Sequence, residues 1–148
     1  MQLGIKWIPF YIVFPRVFED GTRERKLSEK GGYLGLIASI AHVLVVLAPV
    51  DIFFLAHYLI AFILYICLLS AMILFTLTIK GDERFSKKYR YTFFIFTGIF
   101  GLYVILAFTS VGIGIRELMT IFQKIGRSSI YAGFTVLTIG AWKLDKNK

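Results

Sequence analysis

Between Gly31 and Ile79 two long apolar runs are separated by a single acid, Asp51, and no Lys, Arg or Glu interrupts them. A helix needs about 20 apolar residues to cross a hydrocarbon core of about 30 Å. Two such runs joined by a polar turn read as a helical hairpin that crosses a bilayer twice. This feature admits few folds, because in lipid every backbone N–H and C=O must be satisfied within the segment.

Composition agrees. Of 148 residues, 57% are hydrophobic and 17% aromatic, and the mean hydropathy is +0.74. A water-soluble domain of this size needs a more polar surface. The net charge is +8, from 17 Lys and Arg against 9 acids. The basic residues collect at the ends of apolar runs, a pattern of membrane topology rather than of nucleic-acid binding. Cys67 is the one cysteine, so no intramolecular disulfide forms. The N-terminus lacks the features of a signal peptide.

The expected fold is all-α, a single polytopic transmembrane bundle over 1–148 with four spans at 31–50, 52–79, 91–113 and 119–142. The segment 1–18 carries Lys6, Pro9, Pro15 and Arg16 among its apolar residues. Its Trp7, Phe10 or Tyr11, Phe14 and Phe18 recur at helical spacing, which fits an interfacial helix or the tail of a partial span. Charged stretches at 19–30, 80–90 and 114–124 read as loops. The second span is long, and either tilts or lets its Thr76 and Thr78 end protrude. The uncharged core of the fourth, 128–142, gives about 22 Å of helix, so that Arg127 is drawn toward the headgroups.

Residues 16–30 hold five Lys or Arg, 80–90 five and the tail three, whereas the opposite side has only Arg116, Lys124 and Arg127. This bias puts the loops at 19–30 and 80–90 and the C-terminus in the cytoplasm.

Small residues mark packing faces. Gly31, Gly35, Ser39 and His42 share a face of the first span, and His57, Ala61, Leu64, Leu68 and Ala71 share one of the second. Gly126, Gly133 and Gly140 form a seven-residue seam in the fourth, a register for left-handed packing.

Five residues stand out as a candidate polar or binding site on the outer side: Asp51, His57, Glu117, Lys124 and Arg127. Asp51 reads both as a carboxylate of that site and as a helix N-cap. The cationic groups fit an anionic headgroup or small anion, or simply snorkel to the interface. His42 and His57 fall about 13 and 9 Å below the outer turn, so they are candidate haem ligands or hydrogen-bonded intramembrane histidines. No nucleophile elbow, phosphate loop, zinc signature or CxxC motif occurs, and no catalytic or metal-ligating residue is assigned.

The pattern G-G-Y-L-x-L-I-A-S, the turn V-x-L-x-P-x-D and a following histidine resemble the prokaryotic membrane family described as domain of unknown function 998. In outline that family is similar to Frag/DRAM-type six-helix proteins. The matching residues are Gly31, Gly32, Pro49, Asp51 and His57, with Glu117 and the helix ending in Trp142 resembling the last span. The resemblance covers about 26–142 and implies about six helices, with two further spans ahead of the charged loop. By that comparison the chain is a shortened relative, lacks its natural N-terminus, or takes the missing helices from another subunit.

The functional expectation is a small integral protein of a prokaryotic cell membrane, without its own catalytic centre, acting as an accessory or structural subunit. Its partners would be membrane lipid and other subunits or copies of itself. The alternatives are a lipid- or anion-handling enzyme or transporter using the outer site, and a haem-binding electron-transfer subunit.

Overall fold

The computed structural model describes residues 6–113 and 116–146, with side chains except at 111–113, 116–120 and 145–146. Among these residues the fold is entirely helical. The helices are α1 (Ile8–Val13), continued by a 3₁₀ turn (Phe14–Val17), α2 (Arg23–Leu47), α3 (Phe54–Gly81), α4 (Lys87–Ile113) and α5 (Arg116–Lys146). They form two compact units, divided after Gly81.

Three helices are long and apolar enough to cross a membrane: Arg23–Leu47, Phe54–Gly81 and Lys87–Ser110. That is the pattern of a multi-pass membrane protein. α5 is not among them, because Lys124, Arg127, Ser128, Thr135 and Thr138 interrupt its apolar residues.

In the first unit α2 and α3 pair along their length, and α1 lies across α2. The stretch 19–30, expected as a loop, is mostly helix. Gly21, with φ of +82°, turns the chain. The hydroxyl of Thr22 then accepts from the Arg25 N–H at 3.1 Å, a side-chain cap on the first turn. The residues that follow are strong helix formers, and Arg25 donates to Glu29 one turn on at 2.6 Å, a pairing that favours helix. Charge marked where the apolar run ends, not where the helix ends.

At its far end α2 stops at Leu47 rather than Val50, because Pro49 has no N–H to continue it. The Pro49 carbonyl instead accepts from the Ile52 and Phe53 amides at 3.1 and 2.8 Å. α3 begins at Phe54, and so Asp51 does not cap it; the carboxylate is exposed in the turn. At the other end of α3, Thr76 and Thr78 are buried within the protein. Their hydroxyls donate to the Met72 and Leu74 carbonyls at 2.8 and 2.9 Å, which satisfies them within the helix.

The segment 8–18 packs against α2. Its expected aromatic stripe points into protein: Tyr11, Phe14 and Phe18 are all buried. Gly32 and Gly35 of α2 provide the space, because Tyr11 lies directly over both. Gly31 receives the edge of Phe75 from α3. Phe10, Tyr11 and Phe14 surround Phe75 at centroid distances of 5.7, 6.3 and 5.1 Å. Leu64, Leu68 and Ala71 are buried on α3 as its small-residue face requires.

In the second unit α4 and α5 form a hairpin. The seam Gly126, Gly133 and Gly140 is buried, with Ser129, Phe134 and Leu137 beside it. Gly126 takes the ring of Tyr103, and Gly140 lies against Phe85 and Tyr89. α5 is helical from Arg116, so the expected loop at 114–124 is largely replaced by its first turns. Gly98 on α4 faces open space, whereas Gly31, Gly32, Gly35, Gly126 and Gly140 are occupied from within the chain. Those occupied glycines are not free for a second polypeptide, as the reading of a missing helix would have had them.

Candidate functional site

His57 is the most closely defined of the expected site residues. It sits in the first turn of α3, where its own amide donates to the Phe53 carbonyl at 2.8 Å. Its Nδ1 lies 2.7 Å from the Ala48 carbonyl oxygen. A carbonyl only accepts, so Nδ1 carries the proton and Nε2 is the nitrogen left with a lone pair. Ala48 follows the last residue of α2, and a carbonyl there has no helical partner of its own. The imidazole therefore ties the end of one apolar helix to the start of the next across Pro49–Phe53. The side chain is half-buried, with the Tyr58 ring edge-to-face at a centroid distance of 5.9 Å. His57→Ala should leave the Ala48 carbonyl unpaired and loosen the turn by about 1 kcal/mol. Faster amide exchange confined to residues 47–58 would report it, and unchanged exchange would show the bond to be idle.

His42 is half-buried on α2. With Nδ1 of His57 committed to Ala48, a haem shared by the two histidines would have to use Nε2 of His57. Among the described residues no group of three or more His, Cys, Asp or Glu side chains stands ready for a metal ion.

Asp51 is exposed six residues before His57, but the imidazole turns to the Ala48 carbonyl and not to the carboxylate. Two of the five candidate site residues are therefore not hydrogen-bonded to each other. Lys124 and Arg127 lie on the second unit, exposed and nearly one turn apart on α5, and neither has an ion-pair partner among the described residues. The side chains of Arg116 and Glu117 lie outside the described residues.

Two charged clusters were not anticipated. Asp82, at the start of the second unit, is 8% exposed. Its carboxylate receives the Arg84 Nε at 3.0 and 3.1 Å, the Nη2 at 2.7 Å and the Arg84 backbone amide at 2.9 Å. Burial alone would raise its pKa. The Arg84 hydrogen bonds and the charges of Arg84 and Arg90 outweigh burial and hold the carboxyl below its ordinary value. A lowered folded pKa means that this contribution to stability is complete above the unfolded value, near 3.8. It is lost as pH falls through the lower folded one. Asp82→Asn should thus remove part of the acid sensitivity of the second unit below about pH 4. An unchanged acid-unfolding profile would contradict that role. The signal was present as D-x-R in the loop Lys80–Arg90, a spacing that lets an aspartate bridge a turn.

The second cluster is at the N-terminal end of α2. A cleft of about 230 Å³ opens between the segment 11–16 and α2, lined by Tyr11, Ile12, Arg16, Arg25, Tyr33 and Leu36 among others. Arg25 is fixed there by Glu29 and by the Pro15 carbonyl, to which its Nη1 donates at 2.8 Å. Nothing in the residue pattern announced this cleft, because it exists only once α1 folds back over Gly32.

Comparisons with protein-family models, with curated proteins and with solved structures return no match for this chain.

Proposed function

We propose that this protein is a multi-pass subunit of a membrane assembly, without a catalytic centre of its own, that docks through the outer face of α5. One observation carries the reading. Ile121, Lys124, Ser128, Tyr131, Thr135, Thr138 and Trp142 are all exposed. They recur at alternating intervals of three and four, the seven-residue register of helix packing. The opposite face, Gly126 to Gly140, is already used against α4.

Ser and Thr commonly hydrogen-bond across helix interfaces in membranes. Thr138 already donates to the Phe134 carbonyl at 2.8 Å, which leaves Ser128 and Thr135 as the hydroxyls of the stripe that a partner would engage. A partner helix in the same register would cover the stripe. In this reading α5 is the fourth span, kept in the membrane by neighbours rather than by its own hydropathy. The charge bias supports a cytoplasmic position for the loops at 19–30 and 80–90 and for the C-terminus.

Cys67 is the only native thiol, so a Cys67→Ser background carrying Thr135→Cys tests the docking face directly. Oxidation in native membranes should yield a cross-linked species, either a dimer or a defined hetero-adduct, absent when the cysteine is placed at buried Gly133. Equal cross-linking from both positions, or none from Thr135→Cys, would contradict the proposal.

A further inference from the structure

We propose that the cleft between the N-terminal segment and α2 binds the phosphodiester headgroup of an anionic phospholipid, with Arg16 as its anchor. The site belongs to the first unit and is independent of the docking face on α5.

Charge comes first. Arg25 and Glu29 line the cleft together and are paired at 2.6 Å. Arg16 also lines it, is exposed, and has no hydrogen-bond or ion-pair partner among the described residues. Asp20 also lies 3.6 Å from the Arg25 Nε, so Arg25 is neutralised by its own acids and Arg16 supplies the available positive charge of the cleft, the complement of one phosphodiester. A guanidinium offers parallel N–H donors that match two phosphate oxygens. Arg25 is already held by Glu29 and the Pro15 carbonyl, so its unused N–H groups are fixed in place and lose little freedom on binding.

Position comes second. At this level α2 changes from the charged run Arg23–Lys30 to the apolar run beginning at Gly31. Tyr33 lines the cleft and is 68% exposed, and tyrosines favour the headgroup layer. From Tyr33 an exposed apolar track continues along α2 through Ile37, Ile40, Leu44 and Leu47. These residues share one face. A headgroup in the cleft would leave its acyl chain on this track, a feature that a free phosphate would not use. The cleft is smaller than the roughly 300–1,000 Å³ typical of drug-sized ligands, which suits a headgroup whose chains remain outside.

The test uses the full chain in mild detergent, with retained phosphatidylglycerol and phosphatidylcholine measured by native mass spectrometry. Phosphatidylglycerol should be retained in preference. Arg16→Gln should weaken that retention about tenfold, the scale of losing hydrogen bonds to a charged group, and Arg16→Lys should restore part of it. Lys30→Gln, which removes an exposed charge outside the cleft lining, should have little effect. Equal loss from Arg16→Gln and Lys30→Gln would overturn the site in favour of diffuse attraction. Equal retention of both lipids by the unaltered chain would also overturn it. Displacement of phosphatidylglycerol by millimolar inorganic phosphate would reassign the cleft to a free anion. The lipid comparison and the phosphate competition need no variant, so misfolding of Arg16→Gln would not shield the proposal. A chain that retains lipid but forms no adduct through Thr135→Cys would fail the docking proposal alone.

Discussion

Replacing Gly32 with alanine should lift the N-terminal segment off α2. A Cβ built there comes within 2.6 Å of the Tyr11 backbone carbonyl oxygen. That oxygen moves only if α1 moves. Overpacking of this kind costs about 1–3 kcal/mol, and the upper end applies because no rotamer change relieves it. The expected signature is proteolysis and fast amide exchange across residues 8–18, with α2 and α3 still helical. Gly31→Ala is the informative comparison. Its Cβ meets the edge of the Phe75 ring at 2.8 Å, and a ring can tilt where a backbone carbonyl cannot. Gly31→Ala should therefore cost less than Gly32→Ala and leave the N-terminal segment docked. If the two variants behave alike, the close approach at Gly32 is not what seats α1. Loss of the segment would also dismantle the cleft beside Arg16, so Gly32→Ala should diminish phosphatidylglycerol retention.

The second large effect is at Phe75. Its side chain is fully buried at the centre of the ring cluster formed with Phe10, Tyr11 and Phe14. It is also the group that fills the hollow at Gly31. Edge-to-face arrangements such as Phe14 on Phe75, at 79° between planes, add to the packing that burial provides. Phe75→Ala should destabilise the first unit by about 3–5 kcal/mol, the range for a buried aromatic truncated to alanine. Thermal unfolding in detergent is the measurement. Phe53, 54% exposed near the turn, provides the contrast: Phe53→Ala should shift the unfolding temperature by much less. Equal shifts would mean that lipid or detergent, and not the ring cluster, holds the first unit together.

The long apolar hairpin of α2 and α3 was legible because it depends on one strong and local property, uninterrupted apolar length. Helix ends were less so. Thr22 and Gly21 begin α2 inside a stretch that charge alone marks as loop, and α3 starts after Asp51 because the Pro49 carbonyl first closes a turn. The packing faces were legible from small residues at helical spacing, since Gly31, Gly35, Gly126 and Gly140 all receive a side chain. Which side chain each receives was not, because Tyr11 reaches Gly35 from 24 residues away in sequence. The polar site was the least legible part. His57 and Asp51 are near in sequence, yet the imidazole serves the Ala48 carbonyl, a backbone group that no residue pattern displays. Arg16 and Arg25 become neighbours of one cleft only after α1 folds back. The outer face of α5 was hidden for a different reason. Its glycine seam dominates the pattern, and the hydroxyl stripe opposite becomes meaningful only once the seam is seen to be filled.

The central claim is that this chain works as part of a larger membrane assembly. Native mass spectrometry of the protein, extracted in mild detergent from its own membrane, tests it most directly. The expected result is a mass well above the 16.9 kDa of one chain, falling back toward it when Ser128 and Thr135 are both replaced by bulky tryptophan. A single chain carrying only lipid, unchanged by those replacements, would contradict the account.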